Sequence, residues 1–241
     1  PADIECCYAL REGNNPVFMV VDQTQALHTG SSYQTPGSPA GANWLSIELF
    51  GSYRLPVAIA SCVRPLAESI QQTHEEEGIS TADIAIPHSR KASVVGVRPI
   101  VVVGDEAELA RSIHEIRSAY NGYLSAESES DQITICERDL SLAMAIGGLG
   151  DQAYPTTVKR IKGLERGFVV WSTRTNLGNA DESAETVYTI ATRSSCILVI
   201  AVDPEETSNL SREILDKLDQ EHLMFWNQES ETWWDRAFSP F

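Results

Sequence analysis

Cys7–Val21 reads CYALREGNNPVFMVV and Thr157–Trp171 reads TVKRIKGLERGFVVW. Each is a strand-forming run, a short charged stretch containing glycine, and a second strand-forming run, the pattern of an antiparallel hairpin. The two stretches share length and order of parts, so their reading decides the fold class.

Working outward, Ile4–Leu10 and Pro16–Val21 make the first hairpin. Trp44–Phe50 and Pro56–Ser61 make a second around Gly51-Ser52-Tyr53-Arg54. Pro65 then stands where a first helical residue belongs, opening a helix of about twelve residues with Leu66 and Ile70 one turn apart. Asp83–Ile86 and Val94–Val103 read as strands, the second apolar enough to be central in a sheet. Asp105 and Glu108 form a capping box before Leu109, Ile113, Ile116 and Tyr120, which keep helical spacing.

In the second half the pattern predicts strands at Gln132–Glu137, Thr156–Ile161, Gly167–Thr173, Glu185–Thr192 and Cys196–Val202, with LSLAMAIGGLG (140–150) fitting either element type. A final helix is expected to open at Asp203-Pro-Glu-Glu206, with Leu210, Ile214 and Leu218 as its stripe. NWLSIELFGSYRLPVAIAS before Pro65 then corresponds to TVYTIATRSSCILVIAVD before Pro204. The expected fold is α+β: antiparallel β-meander sheets with amphipathic helices packed on one face, read as two duplicated ββββα halves, the alternative being two ordinary meanders. The expected organisation is one compact domain over 1–241, with halves at about 1–123 and 132–241 joined by the polar stretch 124–131.

Composition narrows function mostly by exclusion. The chain has 241 residues, 42% of them hydrophobic, with 34 acidic against 18 basic side chains and a formal net charge of −16. That charge opposes phosphate neutralisation, so no nucleic-acid partner and no anionic membrane surface is expected. No apolar run reaches the ~18 residues of a membrane span. The first residues show no basic segment followed by an apolar one, so the chain is expected in the cytoplasm, or outside the cell after loss of a leader. Cys6, Cys7, Cys62, Cys136 and Cys196 are scattered, with neither Cys-x-x-Cys nor His-x-x-x-His spacing, so no metal is expected. No phosphate-binding loop, dinucleotide fingerprint or nucleophile elbow occurs, so no cofactor is expected; Gly147–Gly150 (GGLG) lacks the Lys-Ser/Thr of a phosphate cradle.

Three features carry chemistry. His28 stands at the mouth of the Gly/Ser/Pro-rich stretch 30–43, read as a long mobile loop, a few residues after Asp22; His88 lies between strands beside Ser89, Arg90 and Lys91. These are the candidate general bases, with Asp22 as an orienting carboxylate. Lys159, Arg160, Lys162 and Arg166 form the densest basic group and suit a carboxylate, a phosphate or an acidic surface. Trp226, Trp233 and Trp234, with Phe225, Phe238 and Phe241, crowd the last seventeen residues and must be ordered by what they cover: the chain's own core, a subunit interface or an apolar pocket. The expected function is a non-catalytic binding or interaction module that holds a protein partner or small apolar ligand through its sheet face, long loop and aromatic tail, and that is compatible with a homodimer. The alternative is a metal-free, cofactor-free enzyme acting on a small anionic molecule.

Overall fold

The computed structural model describes residues 55–78, 95–124, 132–136, 139–174 and 183–239. Their centre is one sheet of six strands, all parallel: β1 (Ile100–Val103), β2 (Ile133–Cys136), β3 (Ala153–Thr156), β4 (Arg166–Ser172), β5 (Ser194–Val202) and β6 (Met224–Phe225), in the order β3-β2-β4-β5-β1-β6. The fold is therefore α/β, and the expected antiparallel meander with helices on one face is overturned. Helices cover both faces. On one side α1 (Val57–Glu76), α5 (Ala184–Ala191), α6 (Asn209–Asp216) and α7 (Gln228–Phe238) bury a core with Val101, Val103, Val169, Trp171, Leu198 and Ile200. On the other, α2 (Glu106–Ala119) and α3 (Leu140–Gly148) bury Ile100, Val102, Ile133, Ile135, Phe168, Val170 and Val199.

That two-sided burial explains the composition of the strands. Alternate residues of β1 enter opposite cores, so all four are apolar and buried, as a strand covered on both faces requires. Residues on either side of 125–131 share this sheet, because β1 pairs with β5 in the register Val101↔Ile200.

The duplicated ββββα plan fails element by element. Of the stretch that suggests a hairpin, Val158–Ile161 is the short helix α4, and only Arg166–Ser172 is a strand. The glycine between them turns a helix into a parallel strand: Gly163 has φ +84° and follows Lys162, the C-cap of α4. Pro56–Ser61, expected as a strand, belongs to the start of α1, with Pro56 as N-cap. Pro65 lies inside this helix, where it removes one backbone donor, while Ile59, Val63, Leu66 and Ile70 keep one buried stripe. Glu185–Thr192, also expected as a strand from its Thr, Val and Tyr, falls largely in α5: Ser183 accepts from the Thr186 N–H at 3.2 Å, and residues 186–191 are all buried. Val187, Ile190 and Ala191 keep helical spacing, but the β-branched and aromatic composition of so short a segment is a misleading signal.

The Asp105–Glu108 capping box is closed in both directions, at 2.9 and 3.2 Å. The helix expected at Asp203 begins later, because Asp203 caps a turn and Ser208 caps α6. The tail forms β6 beside β1 and then α7, whose Ser230 hydroxyl accepts from the Val103 N–H at 3.1 Å. The hairpin at Cys7–Val21, the loop at 30–43, the strand at 83–86 and most of the polar stretch 124–131 lie outside the described residues.

Candidate functional site

In a parallel sheet every strand delivers its following loop to the same edge, and ligands bind where neighbouring loops diverge to opposite faces. Here β1 is followed by α2 on one face, while its neighbour β5 is followed by α6 on the other. The sequence places an acid just beyond several of these strand ends: Asp105 after β1, Asp139 after β2, Asp203 after β5.

Arg174, two residues beyond β4, gathers this edge. Its Nε donates to Glu206 Oε2 at 2.8 Å and its Nη1 to Glu106 Oε2 at 2.8 Å, with Asp139 at 3.7 Å and Asp203 at 3.8 Å. The side chain is 9% exposed. Burial works against its charge, but the hydrogen bonds to Glu206 and Glu106 and the field of Asp139 outweigh burial and raise its pKa above the ordinary value. In return, Glu106 is held below the usual carboxylate range by a hydrogen bond from Ser141 and then by Arg174. Asp139 caps α3 through the Leu142 N–H at 3.0 Å and accepts from the Ser172 hydroxyl at 2.8 Å, which fixes it under the guanidinium. Thr173 and Thr207 close the same corner at 2.7 Å. One cation thus ties the ends of β1, β2, β4 and β5 together. Among the described residues, no group of three or more carboxylate, thiol or imidazole side chains is arranged to hold a metal ion.

Beside this clamp lies a cleft of about 350 Å³ lined by Val103, Pro204, Arg212, Glu229, Trp233, Arg236 and Ala237. Val103 is the last residue of β1, Pro204 lies two residues beyond β5, Arg212 comes from α6, and the remaining four come from the tail helix. Arg212 Nη2 donates to the Pro204 carbonyl at 2.9 Å, while its Nε is buried with no hydrogen-bond partner among the described residues. Trp233 is fixed by edge-on contacts with Trp234 and Phe238, at centroid distances of 6.4 and 5.8 Å.

The residues singled out from sequence separate into three groups. Asp22, His28 and His88 lie outside the described residues. Lys159, Arg160 and Lys162 are exposed on α4 and its C-cap, which lead to the amino end of β4, so Lys162 and Arg166 sit on the edge away from the cleft. The tail tryptophans are brought together: Trp234 is buried against Phe225 and Phe238, Trp233 is buried beside it under the cleft, and the half-buried Trp226 donates to Glu115 Oε2 at 3.3 Å. Sequence reasoning missed Arg174 and Arg212. The available signal was the acid that follows β1, β2 and β5, which becomes a cluster only when the strands are parallel.

No family model matches the chain, and no curated protein matches it either. Among solved structures it is similar to the C-terminal domain of a possible DNA helicase from Lactobacillus plantarum WCFS1. The match has 15% identity and a TM-score of 0.47, and covers 73% of this chain and 100% of that one.

Proposed function

We propose that this chain is a non-catalytic binding module that holds a small ligand in the cleft between its tail helix and the carboxyl ends of β1 and β5. The observation that carries the reading is the cleft itself: about 350 Å³, walled by Trp233 and Ala237 of the tail, at the edge where adjacent loops leave for opposite faces. Its volume suits a small molecule, and its position is the one where parallel sheets bind ligands. Both sheet faces are covered by helices, so binding moves from the sheet face to this edge. The aromatic tail keeps its part as the wall of the cleft.

The net charge of −16 supports a partner other than nucleic acid. Cys62 and Cys136 are buried in the core as small apolar side chains, which supports a reducing compartment such as the cytoplasm. Among the described residues no helix is long and apolar enough to cross a membrane.

The test is a fluorescence titration of the full chain with N-phenyl-1-naphthylamine, a neutral aryl probe. Saturable binding is expected, reduced by about tenfold or more when Ala237→Phe fills the cleft, with the far-UV circular dichroism unchanged. Binding that ignores Ala237→Phe, or no binding at all, would refute the proposal.

A further inference from the structure

We infer that Asn121, just beyond the end of α2, is a site of spontaneous covalent modification. Its side-chain amide is open to attack by the backbone nitrogen of Gly122, which converts the residue to aspartate or isoaspartate with loss of ammonia.

The chain holds one Asn-Gly pair, Asn121-Gly122. In such a pair the backbone nitrogen that follows the asparagine can close a small imide ring on its Cγ. Glycine puts no side chain in the way and has the widest backbone freedom to reach the ring geometry. The fold leaves that freedom in place. α2 ends at Ala119, and Asn121–Tyr123 is a single 3-10 turn closed by the Leu124 N–H on the Asn121 carbonyl at 3.2 Å. Hydrogen bonds of 3-10 turns have poorer geometry than those of α-helices. Asn121 and Gly122 are both exposed, and a Cβ at Gly122 would meet nothing within 4 Å beyond its own turn. Neither residue buries a side chain, so opening the turn at this point costs little.

Arg117, one turn back on α2, prepares the electrophile. Its Nη1 donates to Asn121 Oδ1 at 2.9 Å, which draws electron density from Cγ and favours the oxyanion that forms on this oxygen during attack. The bond engages the oxygen and leaves the amide nitrogen to depart. Hydroxide from solvent takes the Gly122 N–H proton, the bond from Gly122 nitrogen to Asn121 Cγ forms, and the Cγ–Nδ2 bond breaks as ammonia leaves with a proton from water. Water then adds to one of the two imide carbonyls, and no oxidation or reduction is involved. Addition at Cγ restores the main chain with aspartate at 121. Addition at the backbone carbonyl gives isoaspartate, whose main chain runs through the former side chain. Either product places a carboxylate near Arg117. The isoaspartyl chain also shifts the peptide that leads to Leu124, a residue buried in the core under α2 and α3.

The experiment incubates the folded full chain and a synthetic peptide of residues 119–124 side by side at mildly alkaline pH. Peptide mapping by mass spectrometry follows deamidation, and labelling with a protein isoaspartyl methyltransferase counts the isoaspartyl product. Modification is expected at Asn121 at a rate within about tenfold of the free peptide, since only a short turn must open. Asn209 and Asn227, each followed by a residue with a side chain and the second held as the N-cap of α7, are expected to stay intact over the same period. Gly122→Ala, which the open space beside residue 122 admits without disturbing the fold, is expected to slow the reaction by about tenfold or more. An intact Asn121, or one that reacts more than about tenfold more slowly than the peptide, would overturn the inference. So would equal modification at Asn209 and Asn227, or a Gly122→Ala chain that reacts as fast as the parent.

Discussion

Replacing Arg174 by Met keeps much of the side chain's length and removes the cation that, among the described residues, lies within 4 Å of Glu106, Asp139, Asp203 and Glu206. Removing one partner of a fully buried ion pair costs about 3–5 kcal/mol. Here the side chains of Glu106 and Glu206 are 40% and 30% exposed and can turn to water, which discounts their share. Asp139 and Asp203, at 4% and 10%, cannot turn away as easily. Asp139 still keeps the Ser172 hydroxyl and the Leu142 N–H, and Asp203 keeps the Glu205 N–H. The loss should therefore fall at the lower end, about 3 kcal/mol, a decrease in Tm of about 6–12 °C for a chain of this size. Urea unfolding followed by circular dichroism measures it. Glu206→Gln in the Arg174→Met background should cost less than in the parent, since its partner is already gone. A loss below about 0.5 kcal/mol for Arg174→Met would mean that the four loop ends do not depend on the guanidinium, and the clamp would be refuted.

Other consequences can be measured separately. Because Glu106 has a depressed folded pKa, its contribution to stability is fully present above its ordinary value of 4.5 and is lost as pH falls through the lower folded value; the stability gap between the parent and Glu106→Gln should narrow as pH falls below 4.5, and a gap that stays constant on acidification would contradict the pairing. Trp234→Ala deletes a side chain 3% exposed, with Phe238 4.7 Å away, and should cost about 3–5 kcal/mol in urea unfolding; a cost under about 1 kcal/mol would show that the tail is not docked on the core. Burial, then the charge of Asp219, pushes the Cys62 thiol up to about 12, so Cys62 should stay unmodified by a thiol reagent at pH 8 until the protein unfolds, whereas rapid native modification mapped to Cys62 by mass spectrometry would oppose its burial.

What the sequence makes legible follows the range of the interactions. The capping box of α2 involves residues three apart, so Asp105 and Glu108 announce it without tertiary context. Apolar runs such as Ile100–Val103 and Ser194–Val202 announce strands, because the burial that selects them acts on each residue separately. Strand direction has no such local mark. β4 pairs in parallel with β2 and β5, more than twenty residues away in either direction, and the Gly163 turn before it looks the same in sequence whether a helix or a strand precedes it. Once direction was misassigned, the site was hidden as well. Arg174 draws its partners from positions 106, 139, 203 and 206, which converge only at the carboxyl edge of a parallel sheet. The tail fared better, since aromatic crowding states that something must be covered. The cover proves to be the core itself for Trp233 and Trp234, and the same helix walls the cleft.

The crystal structure of the full chain with N-phenyl-1-naphthylamine tests the binding account most directly. It should place the aryl rings in the cleft against Trp233. A probe seated elsewhere would contradict the account, for example on the exposed Leu140 and Met144 of α3, 58% and 72% exposed, with the cleft empty.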